Sequence, residues 1–355
     1  MSESTTREKA EAPFRPFTRK YLGSKRLLRE WIADRICAIA GTPRVFLDGF
    51  FGTGAVGFAM ARRGAERIVA VDTLRSNCAI LRGFTASSPR VPELMGRLNA
   101  LPPARGYVTA NYAGTYFTEE NCTRMDAVRE EIALLCRGEL ISAAEHDILL
   151  ASFLLSADRV ANTLGQYDAF LKNIGSDSFV EGRHMVDERV RTPFSLRPLE
   201  TLPSASIEVI EDDMIAAAPR CAVDVAYYDP PYNGRQYCDN YHVLENLARW
   251  EKPPLFGKTR KFDRTGLRSP FSRRSDAADA LRRLAAKTRA PHMFLSYSSE
   301  GILSREEIQG ILSERGAVSV MEIPYPVFGN GAGVSSRRSL IEYLFHTAGG
   351  QGRDA

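Results

Sequence analysis

The chain has 355 residues, of which 44% are hydrophobic and 25% charged, and its formal net charge at pH 7 is +4. Such a chain is long enough to bury a full core in one large or two modest domains, and its mild charge excludes nucleic-acid binding through bulk charge alone. No apolar run approaches the length of a membrane span, so no membrane partner is expected. The cysteines show no Cys-x-x-Cys pair and no clustering with histidine, which argues against a metal site or disulfide framework and favours a reducing cytoplasm.

The first predicted elements are a strand, a glycine turn and a helix. Residues 1–13 are polar and lack the apolar core of a signal peptide, so we expect a loose tail there. The apolar run 45–47 predicts a strand, and residues 58–61 have helical character. Between them, Gly-Thr-Gly-Ala-Val-Gly at 52–57 satisfies the G-x-G-x-x-G pattern. Its glycines allow a tight turn and close approach of a ligand to the backbone, which favours nucleoside binding.

Two acids beside this turn indicate the kind of ligand. A second strand is predicted at 68–71 and ends on Asp72, eighteen residues after Gly54, where a carboxylate can accept hydrogen bonds from ribose hydroxyls. Asp48 immediately precedes the glycines. A carboxylate there repels a pyrophosphate but suits the cationic amino-acid end of S-adenosylmethionine. The pattern therefore favours S-adenosylmethionine over a dinucleotide as the cofactor.

The next part of the chain breaks the alternation of strand and helix. Two long helices are predicted at roughly 119–137 and 142–161 from apolar residues at helical spacing, and we expect residues 96–195 to form a helical insertion. Further strands are predicted at 207–210, 223–228, 293–297, 318–323 and 340–345. Strands that alternate with helical segments predict an α/β fold with a Rossmann-like, mostly parallel sheet and helices on both faces.

The most informative stretch is Asp229-Pro230-Pro231-Tyr232, which follows the apolar run 223–228. Two consecutive prolines cannot continue a central strand, because each fixes φ and lacks an N–H. The chain must therefore leave the sheet in a stiff turn. Such a turn can hold the exocyclic amine of a planar base, with Asp229 and the Pro230 carbonyl accepting its two hydrogens and Tyr232 stacking on the ring.

A basic segment at 252–289 contains twelve Lys or Arg residues against three Asp. Its first part is rich in proline and glycine, so we expect a loop that runs into a helix near Asp276. Phe256, Phe262 and Phe271 are interleaved with the cations. Such a segment either contacts DNA phosphates or is an ordinary solvated loop, and the sequence leaves both interpretations open.

Taken together, these motifs resemble the Dam-like N6-adenine-specific DNA methyltransferases, in the branch that modifies short asymmetric sites. In that family the cofactor motif precedes the target-recognition region and the catalytic motif follows it. The resemblance spans about residues 19–346. Its matching segments are 20–25 (Lys-Tyr-Leu-Gly-Ser-Lys), 48–57, the helices around 117–171, 229–233, 235–237, 240–242 and 296–301.

The resemblance implies a methyltransferase sheet formed by residues 14–95 and 196–347, with 96–195 as the target-recognition insertion. It implies that the methyl group of S-adenosylmethionine is transferred to N6 of a flipped-out adenine. The catalytic residues that it implies are Asp229, Pro230, Pro231 and Tyr232.

The cofactor-binding residues implied by the resemblance are Lys20, Tyr21, Gly23, Lys25, Asp48, Gly52, Gly54 and Asp72. The family also places an acid beside the adenine of the cofactor. Asp212 and Asp213 compete for this role, and Asp213 is preferred because it immediately precedes the apolar Met214 and Ile215. No metal is expected, because no carboxylate and histidine cluster has ligand spacing.

The implied partner is double-stranded DNA, in a restriction-modification or an orphan-methylase setting, with a cognate restriction endonuclease in the first case. We expect a cytoplasmic, nucleoid-associated monomer or weak dimer. Three alternatives stay open. N4-cytosine methylation acts on a similar amine, although Asp rather than Ser at position 229 argues for adenine. A nicotinamide-dependent oxidoreductase explains the glycine turn but leaves residues 229–232 unused, and a DNA-binding module without activity is disfavoured by the intact motif.

Overall fold

The computed structural model describes residues 12–16, 19–171, 188–200, 206–326 and 339–349. Most of the expected tail at 1–13 lies outside this part of the chain. The chain divides into two compact units. The sheet unit comprises Lys20–Leu81, Gly165–Ala169 and Pro203–Ala355, and the helical unit comprises Met1–Arg19, Arg82–Leu164 and Phe170–Leu202.

The strands among the described residues are β1 (Val45–Gly49), β2 (Arg67–Asp72), β3 (Ser206–Glu211), β4 (Val225–Tyr228), β5 (His292–Ser298), β6 (Val318–Pro326) and β7 (Ser339–Ala348). The helices are α1 (Arg29–Ala40), α2 (Ala55–Arg62), α3 (Arg75–Thr85), α4 (Val91–Asn99), α5 (Tyr107–Tyr112), α6 (Glu119–Arg137), α7 (Ala143–Val160), α8 (Met214–Ala217), α9 (Tyr237–Asn240), α10 (His242–Arg249), α11 (Ala277–Lys287) and α12 (Arg305–Ser313). Every predicted strand is found, and α11 begins directly after Asp276, as predicted.

The strands form one sheet in the order β3-β2-β1-β4-β5-β7-β6. The pairs from β3 to β5 are parallel, whereas β7 runs antiparallel to both β5 and β6. The prediction of a mostly parallel α/β sheet is therefore confirmed. The insertion of β7 between β5 and β6 is a feature that the order of strands along the chain does not reveal.

The central strands are buried on both faces. In β4, Val225 and Tyr227 pack in one core cluster and Ala226 and Tyr228 in the cluster on the opposite face. Successive side chains of a strand point to opposite faces, so both faces of this strand are covered. That arrangement explains why the run 223–228 is almost continuously apolar instead of alternating with polar residues.

The direction of strand order reverses between β1 and β4, and this point positions the site. Gly49 at the end of β1 pairs with Tyr228 at the end of β4, so Asp229 follows at the same edge of the sheet. Asp72 ends β2 at that edge. In open α/β sheets, ligands bind in the crevice outside the carboxyl ends of the strands where the order reverses.

The helical unit contains the two long helices where the sequence predicts them. Thr118 caps α6 by accepting a hydrogen bond from Asn121 N, and Ser142 with Glu145 forms a capping box at the start of α7. Such caps contribute about 1 kcal/mol each. Buried Asp126 of α6 accepts hydrogen bonds from the backbone N–H groups of Gly106, Val108 and Thr109, which fixes the start of α5.

The helical unit also includes segments that the predicted insertion 96–195 leaves out. Before residue 96 it includes Met1–Arg19 and the chain from Arg82 onward, with the first part of α4, a helix that was not predicted. Its role in target recognition stays a prediction. No helix of the described residues is long and apolar enough to cross a membrane.

Candidate active site

A pocket of about 940 Å³, open to solvent, lies in the sheet unit at the carboxyl ends of the strands. The lining comprises residues 21–25, 50–53, 72–74, 236–238 and 266–269, with Asp48, Ala55, Val56, Asp213, Tyr227, Asp229 and Pro231.

Most of the predicted site residues meet in this pocket, and four do not line it. The lining includes Tyr21, Gly23, Lys25, Asp48, Gly52, Asp72, Asp213, Asp229 and Pro231. Of the other four, Lys20 is exposed, and Gly54 caps the start of α2 in a left-handed conformation. Tyr232 packs edge-on against Tyr297, with ring centroids 6.0 Å apart. Pro230, the fourth, precedes Pro231 in the same turn.

Asp48 is a buried acid that lines the pocket. Its Oδ2 accepts a hydrogen bond of 2.8 Å from the backbone N–H of Gly57, in the first turns of α2. Burial raises the pKa of Asp48 to about 8, and the neighbouring carboxylates of Asp229 and Asp72 add to the rise, while the Gly57 hydrogen bond opposes it. A bound cation would favour the ionised carboxylate, so this acid suits a positively charged ligand.

Asp72 holds the glycine turn and the start of α3 together. Its Oδ2 accepts hydrogen bonds from Gly52 N at 3.1 Å and Asn77 Nδ2 at 2.9 Å, and its Oδ1 accepts one from Leu74 N at 2.8 Å. Burial raises the pKa of Asp72 to about 6, and these hydrogen bonds act in the opposite direction. A carboxylate offers about four lone-pair positions, so capacity for one ligand hydroxyl remains.

Tyr21 forms the wall beside the glycine turn. Its ring stacks on Tyr241 with a centroid distance of 4.6 Å, and its hydroxyl oxygen accepts a hydrogen bond from Asn77 Nδ2 at 2.9 Å. Gly52 has φ of +53°, and a Cβ at this position would lie 2.8 Å from Tyr21 Cε1. The turn therefore requires glycine here, because a side chain would collide with the Tyr21 ring.

Lys25 is buried and paired with two carboxylates. Its Nζ lies 2.8 Å from Asp229 Oδ1 and 3.2 Å from Glu342 Oε1, and it donates to the Gly23 carbonyl at 3.3 Å. Burial alone would lower the pKa of Lys25, but the two carboxylates raise it well above its ordinary value. The ammonium group also lies 5.4 Å from the ring centroid of Tyr232.

Asp229 is a partly desolvated carboxylate at the end of β4. Burial raises the pKa of Asp229 to about 6, and the Lys25 ammonium opposes the rise. The side chain is 18% exposed, so a substrate atom can reach it from the pocket. A carboxylate in this state can accept hydrogen bonds at neutral pH and bind a proton under mildly acidic conditions.

The two candidate acids for the cofactor adenine have different surroundings. Asp213 lines the pocket, and its Oδ1 caps α8 by accepting from Ile215 N and Ala216 N. Asp212 Oδ1 instead accepts a hydrogen bond from the backbone N–H of Asp213, and Asp212 forms an ion pair with Arg220. The pocket thus contains the acid that the sequence preferred, although its contact with a cofactor stays a prediction.

Several pocket residues have no assigned role in the sequence analysis. Gln236 binds the backbone of Ser269 twice, with Nε2 donating to the carbonyl at 3.0 Å and Oε1 accepting from the N–H at 2.8 Å. This pairing holds the segment 266–269 in the pocket wall. Tyr237 donates to the Leu22 carbonyl at 3.0 Å. Gln236 and Tyr237 stand in a stretch that resembles the family, which is the signal that marks them in the sequence.

Glu342 is the other pocket neighbour without an assigned role. It is the acid in the predicted strand 340–345, between apolar neighbours. A carboxylate in a buried strand needs a cation or a hydrogen-bond donor beside it, and this requirement is the signal in the sequence that marks Glu342. His242, in contrast, begins α10 as predicted, and among the described residues no cluster of His, Cys, Asp and Glu could hold a metal ion.

The sheet, the pocket at its reversal point and the Asp-Pro-Pro-Tyr turn in the pocket wall define a methyltransferase with a Rossmann-like fold. Residues 21–311 match the family described as D12 class N6 adenine-specific DNA methyltransferase, and the chain belongs to this family. It therefore uses a methyl donor of the S-adenosylmethionine type and acts on DNA. The prediction of adenine N6 methylation is confirmed over the cytosine and oxidoreductase alternatives.

Curated relatives are modification enzymes of the same type. The type II methyltransferase M.NlaIII of Neisseria lactamica is 31% identical over 323 residues, which are 87% of this chain and 92% of the relative. The modification methylase StsI of Streptococcus sanguinis is 30% identical over 92% of this chain, and M.FokI of Planomicrobium okeanokoites 27% identical over 92%. The chain spans 51% and 52% of the lengths of these last two.

Among solved structures, the chain is similar to one described as a putative RNA methyltransferase, PH1948 from Pyrococcus horikoshii. The TM-score is 0.31 and the identity 9%, with 90% of this chain and 83% of that chain covered. A likeness this weak adds nothing to the fold described above.

Proposed function

We propose that the pocket binds S-adenosylmethionine and that a flipped-out adenine of double-stranded DNA enters it beside Asp229. One observation carries this assignment: Asp229 lies in the wall of the same pocket as Asp48 and Asp72. Two buried acids suit a ligand with a cationic end and a ribose, and the acid of the catalytic turn suits an exocyclic amine.

The residues of the pocket fit this cofactor. Gly52 lines the pocket without a side chain, Asp72 keeps capacity for a ribose hydroxyl, and Asp48 favours a positive charge. Asp213 is the acid for the adenine ring. When bound, S-adenosylmethionine supplies an electrophilic methyl group on a sulfonium.

Asp229 and the Pro230 carbonyl prepare the acceptor amine. Adenine N6 is a poor nucleophile because its lone pair is delocalised into the ring. Accepting both amino hydrogens localises that lone pair on nitrogen, so positioning and electrostatics supply most of the rate. As N6 gains the methyl group it must lose one proton, and Asp229, with its pKa of about 6, can accept this proton and pass it to solvent.

The remaining parts of the molecule are assigned to DNA and to the biological setting. The helical unit selects the target sequence, and exposed cations of the segment 252–289 contact DNA phosphates. The relatives are type II modification enzymes, which supports a restriction-modification role with a cognate endonuclease. We place the protein in the cytoplasm at the nucleoid, as a monomer or weak dimer.

The test is methyl transfer from labelled S-adenosylmethionine to unmethylated plasmid DNA, followed by nucleoside analysis. We expect label in N6-methyladenine with the wild-type protein and none with Asp229→Ala, although that variant still binds the cofactor. Asp279→Ala is the matched control, because Asp279 is an exposed acid of α11 that lies outside the pocket lining. Substantial turnover by Asp229→Ala would overturn the proposed catalytic site.

A further inference from the structure

The ammonium group of Lys25 lies among three oxygens of the protein. Its Nζ lies 2.8 Å from Asp229 Oδ1 and 3.2 Å from Glu342 Oε1, and it donates a hydrogen bond to the Gly23 carbonyl at 3.3 Å. A lysine ammonium has three donors and no more. These three oxygens of the protein, two of them charged, hold Lys25 in place.

The sheet topology explains how Glu342 reaches this position. Because β7 runs antiparallel to β5, its first residues lie at the edge where the parallel strands end, and Glu342 pairs with Ser298, the last residue of β5. Backbone and side-chain hydrogen bonds between Ser299 and Ile341 fix the register beside it. Glu342 lies beyond residues 21–311, the part of the chain that matches the family.

The three charged groups together carry one net negative charge. Without Glu342, the Lys25–Asp229 pair would be neutral, and the lysine charge would act on the Asp229 carboxylate alone. Glu342 also pairs with the Lys25 ammonium group, and its carboxylate gives the three groups together a net negative charge. This matters because the amine nitrogen becomes more positive as it gains a methyl group, and a net negative environment stabilises that change.

We propose that Glu342 is a positioning residue for methyl transfer, which acts through Lys25 to hold Asp229 Oδ1 and to keep Oδ2 available as an acceptor. The inference rests on the proposed catalytic role of Asp229. It assigns Lys25 to the acceptor carboxylate and not to the cofactor.

The other ionisable groups around Asp229 are few. Asp48 lies at the end of β1, and Tyr227, Tyr232 and Tyr237 contribute phenol groups. Burial raises the pKa of Tyr227 and of Tyr237 well above the ordinary value, so both phenols stay neutral. Changes at Glu342 therefore reach Asp229 mainly through Lys25 and through direct repulsion, which raises the pKa of Asp229.

The experiment compares pH profiles of kcat/KM for DNA, with saturating S-adenosylmethionine and unmethylated plasmid DNA as the probe. In a profile of this kind, kcat/KM falls on the acidic side, in the acid limb. We expect Glu342→Gln to move this limb to lower pH, because the lysine charge then acts on Asp229 alone. The plateau kcat should fall roughly tenfold, with KM for the cofactor within about twofold of wild type. Glu342→Asp, which keeps the charge, should recover part of the loss.

The double variant Lys25→Met/Glu342→Gln tests the same idea without leaving an unpaired buried charge. It should move the acid limb to higher pH than wild type, because burial then raises the pKa of Asp229 without opposition. Glu322→Gln, an exposed acid of β6 paired with Arg305, is the matched control and should leave the profile unchanged.

A wild-type pH profile in both Glu342→Gln and the double variant would overturn the inference and leave Glu342 with a structural role only. That result is distinct from failure of the proposed function, which would appear as turnover by Asp229→Ala.

Discussion

The backbone N–H of Gly57 donates to Asp48 Oδ2 at 2.8 Å, and a Cβ added at Gly57 would lie 2.8 Å from that same oxygen. The helix α2 therefore approaches the acid so closely that only glycine fits between them. The third glycine of the G-x-G-x-x-G pattern is therefore required by its contact with a buried carboxylate.

Gly57→Ala should destabilise the protein, although replacing glycine by alanine within a helix usually stabilises it. Alanine in an open helix position is favoured over glycine by about 1 kcal/mol. At Gly57 we expect the methyl group to displace Asp48, to lower the free energy of unfolding and to weaken cofactor binding about tenfold. Chemical denaturation and calorimetric titration measure the two effects. Gly96→Ala in α4, where a Cβ meets nothing within 4 Å, is the control and should be neutral or stabilising.

Cofactor binding should depend on pH through Asp48. The pKa of this acid is about 8 in the free protein, and a bound cation favours the ionised form. Binding below pH 8 therefore releases a proton, so affinity should rise with pH and level off above about 8. Calorimetry in buffers of different ionisation enthalpy measures the proton. Asp48→Asn should remove the part of the pH dependence of affinity that comes from this acid. An unchanged pH dependence in that variant would show that another group releases the proton.

The same acid should make the free protein less stable as pH rises. The folded pKa of Asp48 is about 8, well above its ordinary value near 4, so the folded state holds a proton that the unfolded state has lost. This contribution to stability is present at low pH and is lost as pH rises towards 8. Thermal unfolding between pH 6 and 8 measures it, with Asp48→Asn expected to flatten the trend. A melting temperature that rises with pH and depends on Asp48 would contradict the assignment.

Catalysis should require ionised Asp229. With saturating cofactor, kcat/KM for DNA should fall as pH drops below about 6, by about tenfold per pH unit, because the protonated acid no longer accepts both amino hydrogens. Initial rates of methyl transfer measure this limb. A rate that stays constant down to pH 5 would show that another group limits the reaction.

The basic segment should contribute to DNA binding at a few positions only. Several of its cations are paired within the protein, among them Arg264 with Asp239 and Arg282 with Glu314. Lys258 and Arg260 are exposed, and no described residue pairs with either. Each alanine variant of these two should lower the slope of log affinity against log salt by about 1. Arg282→Ala is the control, and an equal effect there would argue for general electrostatics.

The strands were predictable because both faces of each central strand are buried, which leaves long apolar runs such as 223–228. The two long helices were predictable from caps and apolar spacing. The pairing order was not, because the position of β7 between β5 and β6 depends on contacts far apart in the sequence. For the same reason the sequence marks Lys25 and Asp229 as site residues but does not reveal that they touch.

The burial of Lys25 illustrates this limit. Its neighbours Arg26 and Leu27 are exposed, so the local pattern is that of a solvated turn. Only the approach of Asp229 from β4 and Glu342 from β7 turns the position into a buried ion pair. Long-range acids of this kind leave no periodic signal around the lysine.

The pairing of Gln236 with Ser269 has a consequence for redesign of the enzyme. A single side-chain amide satisfies both backbone groups of the residue that ends the segment 266–269, much as a neighbouring peptide group would in a ladder. This side chain therefore anchors the end of the segment 266–269 in the pocket wall. Loops of other lengths and compositions could be inserted before Ser269 to accept altered bases or enlarged cofactors, while the anchor stays in place.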